Sequence, residues 1–155
     1  MDDPLITALK RLPHGPEFRF LDRLLSLDPG KHGTGEYQVR GDELFLRGHF
    51  PNQPLMPGVL LIEGAAQLAG TVAQSDPHVP AMAGLKLTGL RGAKILGTAR
   101  PGEVIRLEAR VTGRMGNLVQ AQATASVAGV TLLQVELTLS GEVAEGPIQN
   151  EQIKN

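Results

Sequence analysis

The chain has 155 residues, of which 41% are hydrophobic and 3% aromatic, with a formal net charge of −1 and no cysteine. That length suits one domain with a real core. So few aromatics mean that the core is built from Leu, Val, Ile and Ala. The near-neutral charge argues against a general nucleic-acid binder, and the missing cysteine excludes disulfides, thiolate catalysis and cysteine-ligated metals.

Taken in chain order, the N-terminal stretch MDDPLITALKRLPH is acidic first, and its apolar run is too short for a signal peptide. Pro4 to Lys10 predicts a short helix with Pro4 in its first turn. Phe18 to Leu27 is a strand candidate. So is Gly35 to Val39, after the turn-prone Asp28-Pro29-Gly30. A Pro- and Gly-dense loop runs from Gly48 to Gly58. Pro57 then opens the clearest helix, Val59 to Gln74, which is apolar nearly all round and so expected to be buried. Its apolar run holds Glu63 and Gln67 and falls short of the ~20 residues a membrane span needs. A cytoplasmic protein is the default expectation.

Beyond Ser75-Asp76-Pro77 the pattern changes to strands: Met82 to Leu87, Leu90 to Leu96, Val104 to Thr112, Leu118 to Val127 and Val130 to Ser140. Arg106, Glu108 and Arg110 alternate with Ile105, Leu107 and Ala109, which predicts one wet face. Gly113 to Asn117 and Ala128-Gly129 are expected hairpin turns. The layout is α+β, with one long buried helix and a mainly antiparallel sheet over residues 1–140. Residues 141–155 are expected to form a polar, frayed tail.

Two residues stand out on physical grounds. Glu63 is a carboxylate in an apolar helix, where burial disfavours its charge unless it is paired. Gln67, one turn on, is a candidate hydrogen-bond partner. His49 sits in a loop stiffened by Pro51, Pro54 and Pro57, as suits a side chain that must be held in place. A histidine that titrates near neutrality and a carboxyl kept neutral by burial suit proton removal from carbon coupled to protonation of a leaving hydroxyl. The helix start at Gly58 adds free N–H groups that can hold a developing negative oxygen. The plainer alternatives are a structural loop histidine and a buried acid facing an arginine. His14, His32 and His78 lack metal-ligand spacing. No Gly-x-Ser-x-Gly elbow and no dinucleotide or P-loop glycine pattern is present.

The stretch GHFPNQPLMPGVLLIEGAAQ, Gly48 to Gln67, closely resembles the signature of the (R)-3-hydroxyacyl-acyl-carrier-protein dehydratases, with Gly64 where Ala is usual. Leu12-Pro13-His14 with Phe18 and Asp22-Arg23, Glu43 six residues before His49, and Lys94 with Pro101-Gly102-Glu103 extend the likeness over Leu12 to Ser140. The resemblance implies a hot-dog fold and dehydration of a 3-hydroxyacyl thioester, with no cofactor or metal. It assigns proton transfer from the α-carbon to His49, protonation of the departing hydroxyl to Glu63, and the thioester carbonyl oxygen to the Gly58 N–H. Phe50, Pro57 and Gln67 would support the site. Glu rather than Asp at 63 favours the plain dehydratase over the related dehydratase-isomerase. The partners implied are acyl carrier protein and a second copy of the chain, as a homodimer or a trimer of dimers, with each site drawn from two subunits. Pro16 and Ile95 stand where the family usually has Tyr and Phe, which touches on acyl length and substrate rather than on the acid–base pair.

Between Val79 and Met115 seven basic residues face only Glu103 and Glu108. They form either a solvated strand face or a docking surface for an acidic carrier, with Arg91, Lys94 and Arg100 as the docking candidates. Two other functions share the fold: a thioesterase, against which the intact His49 speaks, and a non-catalytic acyl-binding or assembly subunit that pairs with an active homologue.

Overall fold

The computed structural model describes residues 2–143. In chain order the elements are α1 (Pro4–Lys10), a short 3-10 turn (Pro16–Phe18), β1 (Arg23–Asp28), β2 (His32–Gln38), α2 (Leu44–Gly48), α3 (Gly58–Gln74), β3 (Met82–Ile95), β4 (Val104–Met115), β5 (Leu118–Val127) and β6 (Val130–Val143). The strands form one six-stranded sheet in the order β1-β2-β4-β5-β6-β3, and every neighbouring pair is antiparallel. The sheet curls around α3, which packs on β2, β3, β4, β5 and β6. This is the hot-dog arrangement, an α+β fold.

Local chemistry sets the element ends. Asp3 caps α1 by accepting the Leu5 N–H at 2.9 Å, with Pro4 in the first turn. Pro57 is the N-cap of α3 rather than its first helical residue. The helix therefore starts at Gly58, one residue before the Val59 expected from sequence. It ends where Ser75 turns its hydroxyl and its N–H back onto the Val72 carbonyl. The β5–β6 hairpin turns through Ala128 and Gly129, both at positive φ (47° and 80°). That is the backbone a two-residue hairpin matched to strand twist requires.

Leu61, Ala65, Leu68, Ala69 and Val72 of α3 are buried against the alternating inward residues of β4 (Ile105, Leu107, Ala109), β5 (Val119, Ala121, Ala123, Ala125) and β6 (Leu133, Val135, Leu137, Leu139). On β4 Arg106, Glu108 and Arg110 are exposed, the wet face expected from the alternation. Small inward residues on β5 let the sheet approach the helix closely.

Several boundaries differ from the sequence expectation. Phe18 to Leu27 is not one strand. Pro16 starts a tight turn, the Phe20 N–H goes to the side chain of Gln67 rather than to a strand, and β1 begins at Arg23. Helix α2 was hidden between Glu43 and the Pro-rich loop. The two strands expected over Met82 to Leu96 are one strand, β3, because irregularities at Ala83/Lys86, Leu87/Gly89 and Arg91/Lys94 absorb the glycines without ending the ladder. β4 runs to Met115, which shortens the expected Gly113 to Asn117 turn. β6 continues to Val143, into the segment read as a tail. The rest of that segment, 144–155, lies outside the described residues.

In β2 a Cβ on Gly35 would stand 2.5 Å from Leu21 Cδ1 and 2.8 Å from the Arg23 carbonyl oxygen. Since backbone cannot rotate aside, Gly35→Ala is expected to lower unfolding free energy by ~1–3 kcal/mol. On β4, Gly113→Ala meets nothing nearer than Gln120 Oε1 at 3.7 Å and should stay within about 0.5 kcal/mol of the parent. Paired urea melts of the two variants check the contrast.

Candidate active site

Glu63 sits on the second turn of α3 and lines a cavity of about 690 Å3 between α1, α3, β3 and β6. It is the only carboxylate among the described residues that line it; Arg11, His14 and Lys86 are the other ionisable ones. Its side chain is 23% exposed, so it is not enclosed as the apolar helix suggested; it opens on the cavity. One oxygen, Oε1, receives two partners: Gln67 Nε2 at 3.1 Å and His14 Nε2 at 3.2 Å.

Gln67 is the buried hub of this arrangement, only 2% exposed. Its Oε1 accepts the Phe20 N–H at 2.8 Å, while its Nε2 donates to the Phe18 carbonyl at 2.8 Å and to Glu63. A backbone donor on one side and a backbone acceptor on the other leave the amide a single orientation. The helical spacing that suggested a Glu63–Gln67 bond is realised, and the amide also anchors the segment between α1 and β1. His14 enters from that segment. Arg19 Nη2 pins it by donating to the carbonyls of His14 (3.0 Å) and Leu12 (3.1 Å).

His49 is the C-cap of α2. Its Nδ1 lies 3.1 Å from the Leu55 carbonyl, and the Leu55 N–H returns to the His49 carbonyl at 2.8 Å. A carbonyl can only accept, so Nδ1 carries the hydrogen and neutral His49 keeps its lone pair on Nε2. The Phe50 ring stacks on the imidazole at 4.4 Å between centroids. The loop is closed by paired Phe50 and Gln53 backbone bonds and by the Met56 N–H on the Ala99 carbonyl. His49 is not among the polar partners of Glu63, nor among the residues lining its cavity. Within one chain the two are held by different parts of the fold.

A cluster missed in the sequence holds α2 and so His49. Glu43, at the start of α2, accepts the N–H groups of Arg40 (2.7 Å) and Gly41 (2.8 Å) and the hydroxyl of buried Tyr37 (2.9 Å). Arg40 pairs with Asp22, which also caps the Gln38 N–H. Burial and the Glu43 carboxylate push the Tyr37 phenol well up. Burial also pushes Glu43 up, but the N–H donors of Arg40 and Gly41 and the Tyr37 hydroxyl outweigh it. They hold the carboxyl below the ordinary glutamate range. The available signal was the spacing of Glu43 six residues before His49.

Gly58 opens α3, so its N–H has no partner within the helix. A Cβ there would lie 2.7 Å from Ile95 Cδ1, so β3 crosses close over the helix start. The basic residues of 79–115 do not share one face. Lys86 lines the Glu63 cavity, and Arg114 donates to the Ala73 carbonyl at 3.3 Å. Arg91 and Lys94 border a shallow outer hollow of about 530 Å3 with Arg110, Glu108 and Glu136, while Arg100 does not line it. Arg91 is 88% exposed and 3.8 Å from Glu136. Among the described residues no helix is long and apolar enough to cross a membrane.

Residues 12–136 match the family described as FabA-like domain. The chain is 36% identical over 126 residues to the 3-hydroxyacyl-[acyl-carrier-protein] dehydratase FabZ of Chloroflexus aggregans, covering 81% of this chain and 87% of that one. It is 35% identical over 129 residues to the FabZ of Bacillus pumilus, covering 83% and 89%. Its fold matches a chain of the dehydratase heterocomplex ApeI:P from Xenorhabdus doucetiae with a TM-score of 0.73 at 19% identity, over 86% of this chain and 90% of that one. The chain belongs to the FabA-like family of hot-dog dehydratases, on the FabZ side of it.

The depressed Glu43 titration carries a stability consequence. Its contribution is fully present above the ordinary glutamate value of 4.5 and is lost as pH falls through the lower folded value. Glu43→Gln should therefore be less stable than the parent at neutral pH, with the gap closing on acidification below 4.5. Thermal melts of both proteins across that range measure it; a gap independent of pH would contradict the assignment.

Proposed function

We propose that this chain dehydrates a 3-hydroxyacyl thioester carried by acyl carrier protein to the trans-2-enoyl thioester, with His49 as base and Glu63 as acid. The observation that carries this reading is Glu63 itself. Among the described residues it is the lone carboxylate on a cavity whose size falls within the ~300–1,000 Å3 range of small-molecule sites, and two side-chain nitrogens hold it at one oxygen. Membership of a family of dehydratases supports the reaction class, a hydro-lyase. We place the reaction in the cytoplasm, where the carrier would present its substrate.

In this reading His49 Nε2 takes the proton from the α-carbon. The C–H electrons form the new double bond, the bond from the β-carbon to oxygen breaks, and the Glu63 carboxyl proton makes the departing hydroxyl a water. The Gly58 N–H, at the positive end of α3, holds the thioester oxygen as negative charge builds on it. Pro57 fixes the entry to that helix, and Phe50 keeps the imidazole ring in place.

Since His49 and Glu63 do not meet within one chain, we assign each site to two copies of the chain. β3 supports this. Among the described residues it lies at the sheet edge with its outer side unpaired, and Leu90 and Ile95 on it are half exposed. A long, apolar, uncovered edge strand is a template for a second chain. A homodimer built on β3 is the assembly proposed, and trimerisation of such dimers is compatible with it. Arg91 and Lys94 beside the outer hollow are proposed to meet the acidic carrier, with Arg100 as a more distant contributor.

His49→Ala and Glu63→Gln should each fold and each lose ~10²–10⁴-fold in kcat. Mixed under subunit exchange, the two inactive variants should recover about a quarter of parental activity, because half of the dimers then hold one site with both native groups. No recovery despite proven exchange would place both groups in one subunit. Carrier docking predicts a different pattern. Reversing Arg91 and Lys94 to Glu should lower kcat/KM for carrier-bound substrate, and added salt should do the same to the parent. A short uncharged thioester should be turned over as before; equal losses on both substrates would count against docking.

A further inference from the structure

We infer that His14 is a positioning residue for the reaction: as a neutral Nε2–H donor it holds Glu63 Oε1 and so leaves the transferable proton on Oε2. The inference rests on Glu63 being the proton donor and adds which of its oxygens acts and what selects it. Glu63 Oε1 lies 3.2 Å from His14 Nε2 and 3.1 Å from Gln67 Nε2. The orientation of Gln67 is set by the Phe20 N–H and the Phe18 carbonyl, so its nitrogen donates and Glu63 Oε1 accepts. An oxygen already accepting one N–H is the carbonyl-like oxygen of a carboxylic acid, and the acid proton then resides on the other one.

The protonation of His14 follows from its far nitrogen. Among the described residues Nδ1 is buried with no hydrogen-bond partner. Were it protonated, as in imidazolium or in the other tautomer, a buried N–H would stand unpaired, a rare and costly state. An unused lone pair is tolerated more readily. His14 is therefore neutral with its hydrogen on Nε2, directed at Oε1. Arg11 and Lys86 line the same cavity from the end of α1 and from β3, but neither is an ion-pair partner of Glu63. The two neutral donors do two things. They fix the rotation of the carboxyl group, which otherwise presents either oxygen to substrate, and they stabilise the carboxylate left once Oε2 has given up its proton. Arg19 completes the device by clamping the His14 carbonyl, and the Phe18 ring stacks over the imidazole at 6.5 Å.

The test compares His14→Ala, His14→Gln and Glu63→Gln in steady-state dehydration of one short 3-hydroxyacyl thioester. Glutamine carries a terminal N–H at a reach similar to imidazole Nε2. His14→Ala should lose on the order of tenfold in kcat with little change in KM, as when one hydrogen bond to a charged group is removed. His14→Gln should recover most of that loss, and Glu63→Gln should be the most impaired of the three. If Glu63→Gln keeps parental kcat, Glu63 is not the acid and the function assigned to it fails first. If Glu63→Gln is inactive while His14→Ala keeps parental kcat, the positioning role alone is overturned. Equal loss in folded His14→Ala and His14→Gln overturns it as well. Where His14→Ala does not fold, His14→Gln decides: near-parental kcat supports the role, and a loss as deep as that of Glu63→Gln or a failure to fold refutes it.

Discussion

Gln67 makes three hydrogen bonds inside the protein: one from the Phe20 N–H, one to the Phe18 carbonyl and one to Glu63. A buried amide left unpaired is destabilising by a few kcal/mol, so each of these bonds favours the arrangement that makes the others. The consequence spreads in both directions. Toward the N-terminus, the segment from His14 to Leu21 is laid along α3 without belonging to any strand. Phe20 then reaches the aromatic contacts with Tyr37 and Phe45. Toward the cavity, the same amide turns an ionisable side chain on an apolar helix into a group with one committed oxygen. The polar cluster is thus the means by which a helix that should only be core carries a functional carboxylate.

The second polar group is built on different physics. His49 is held by backbone: a reciprocal pair of bonds with Leu55, a stacked Phe50 ring and a loop tied to Ala99. Behind it, Glu43 collects two backbone N–H groups and the Tyr37 hydroxyl, and Arg40 and Asp22 close the ring of charges. These groups gather around Glu43, the N-cap of the five-residue helix α2, which is too short to be stable by propensity. Charge and backbone hydrogen bonding therefore hold His49, whereas the packing of α3 inside the sheet places Glu63 and the Gln67 and His14 donors orient it.

What could be read from sequence divides along the same line. The start of α3 was legible to one residue, because proline lacks an N–H and glycine next to it marks a helix end. The alternation of Arg106, Glu108 and Arg110 gave the outer face of β4 directly. Glu63 stood out since a carboxylate in an apolar run demands a partner, and Gln67 at helical spacing was that partner. The missed features are those with no local period. Helix α2 is a single turn and a half, masked by the neighbouring prolines. β3 was split in two because Thr88-Gly89 looks like a break, although a bulged ladder accommodates it. His14 was visible only within Leu12-Pro13-His14 and was weighed as a metal ligand. Its true neighbour lies 49 residues away, a distance across the chain that no spacing rule bridges.

Gly58 shows why a site residue cannot be explained by ligand chemistry alone. From sequence, Gly58 at the start of α3 was read for its free N–H groups, which can hold a developing negative oxygen. In the structure the space a Cβ would take is claimed by Ile95 of β3, with Cδ1 at 2.7 Å and Cγ2 at 2.9 Å. The glycine is thus required by the crossing of β3 over the helix end, whatever binds there. Ile95 is one of the two positions at which this chain lacks an aromatic of the pattern it resembles, and it is half exposed. The other, Pro16, opens the turn whose Phe18 covers His14. Both departures therefore touch the surroundings of the catalytic groups without touching the groups themselves. One trims the cover over the helix start, and the other stiffens the segment that delivers His14. A change of substrate is reached most readily at such places, since the shape of the entrance changes while the two carboxylate donors and the imidazole–carbonyl bond stay as they are.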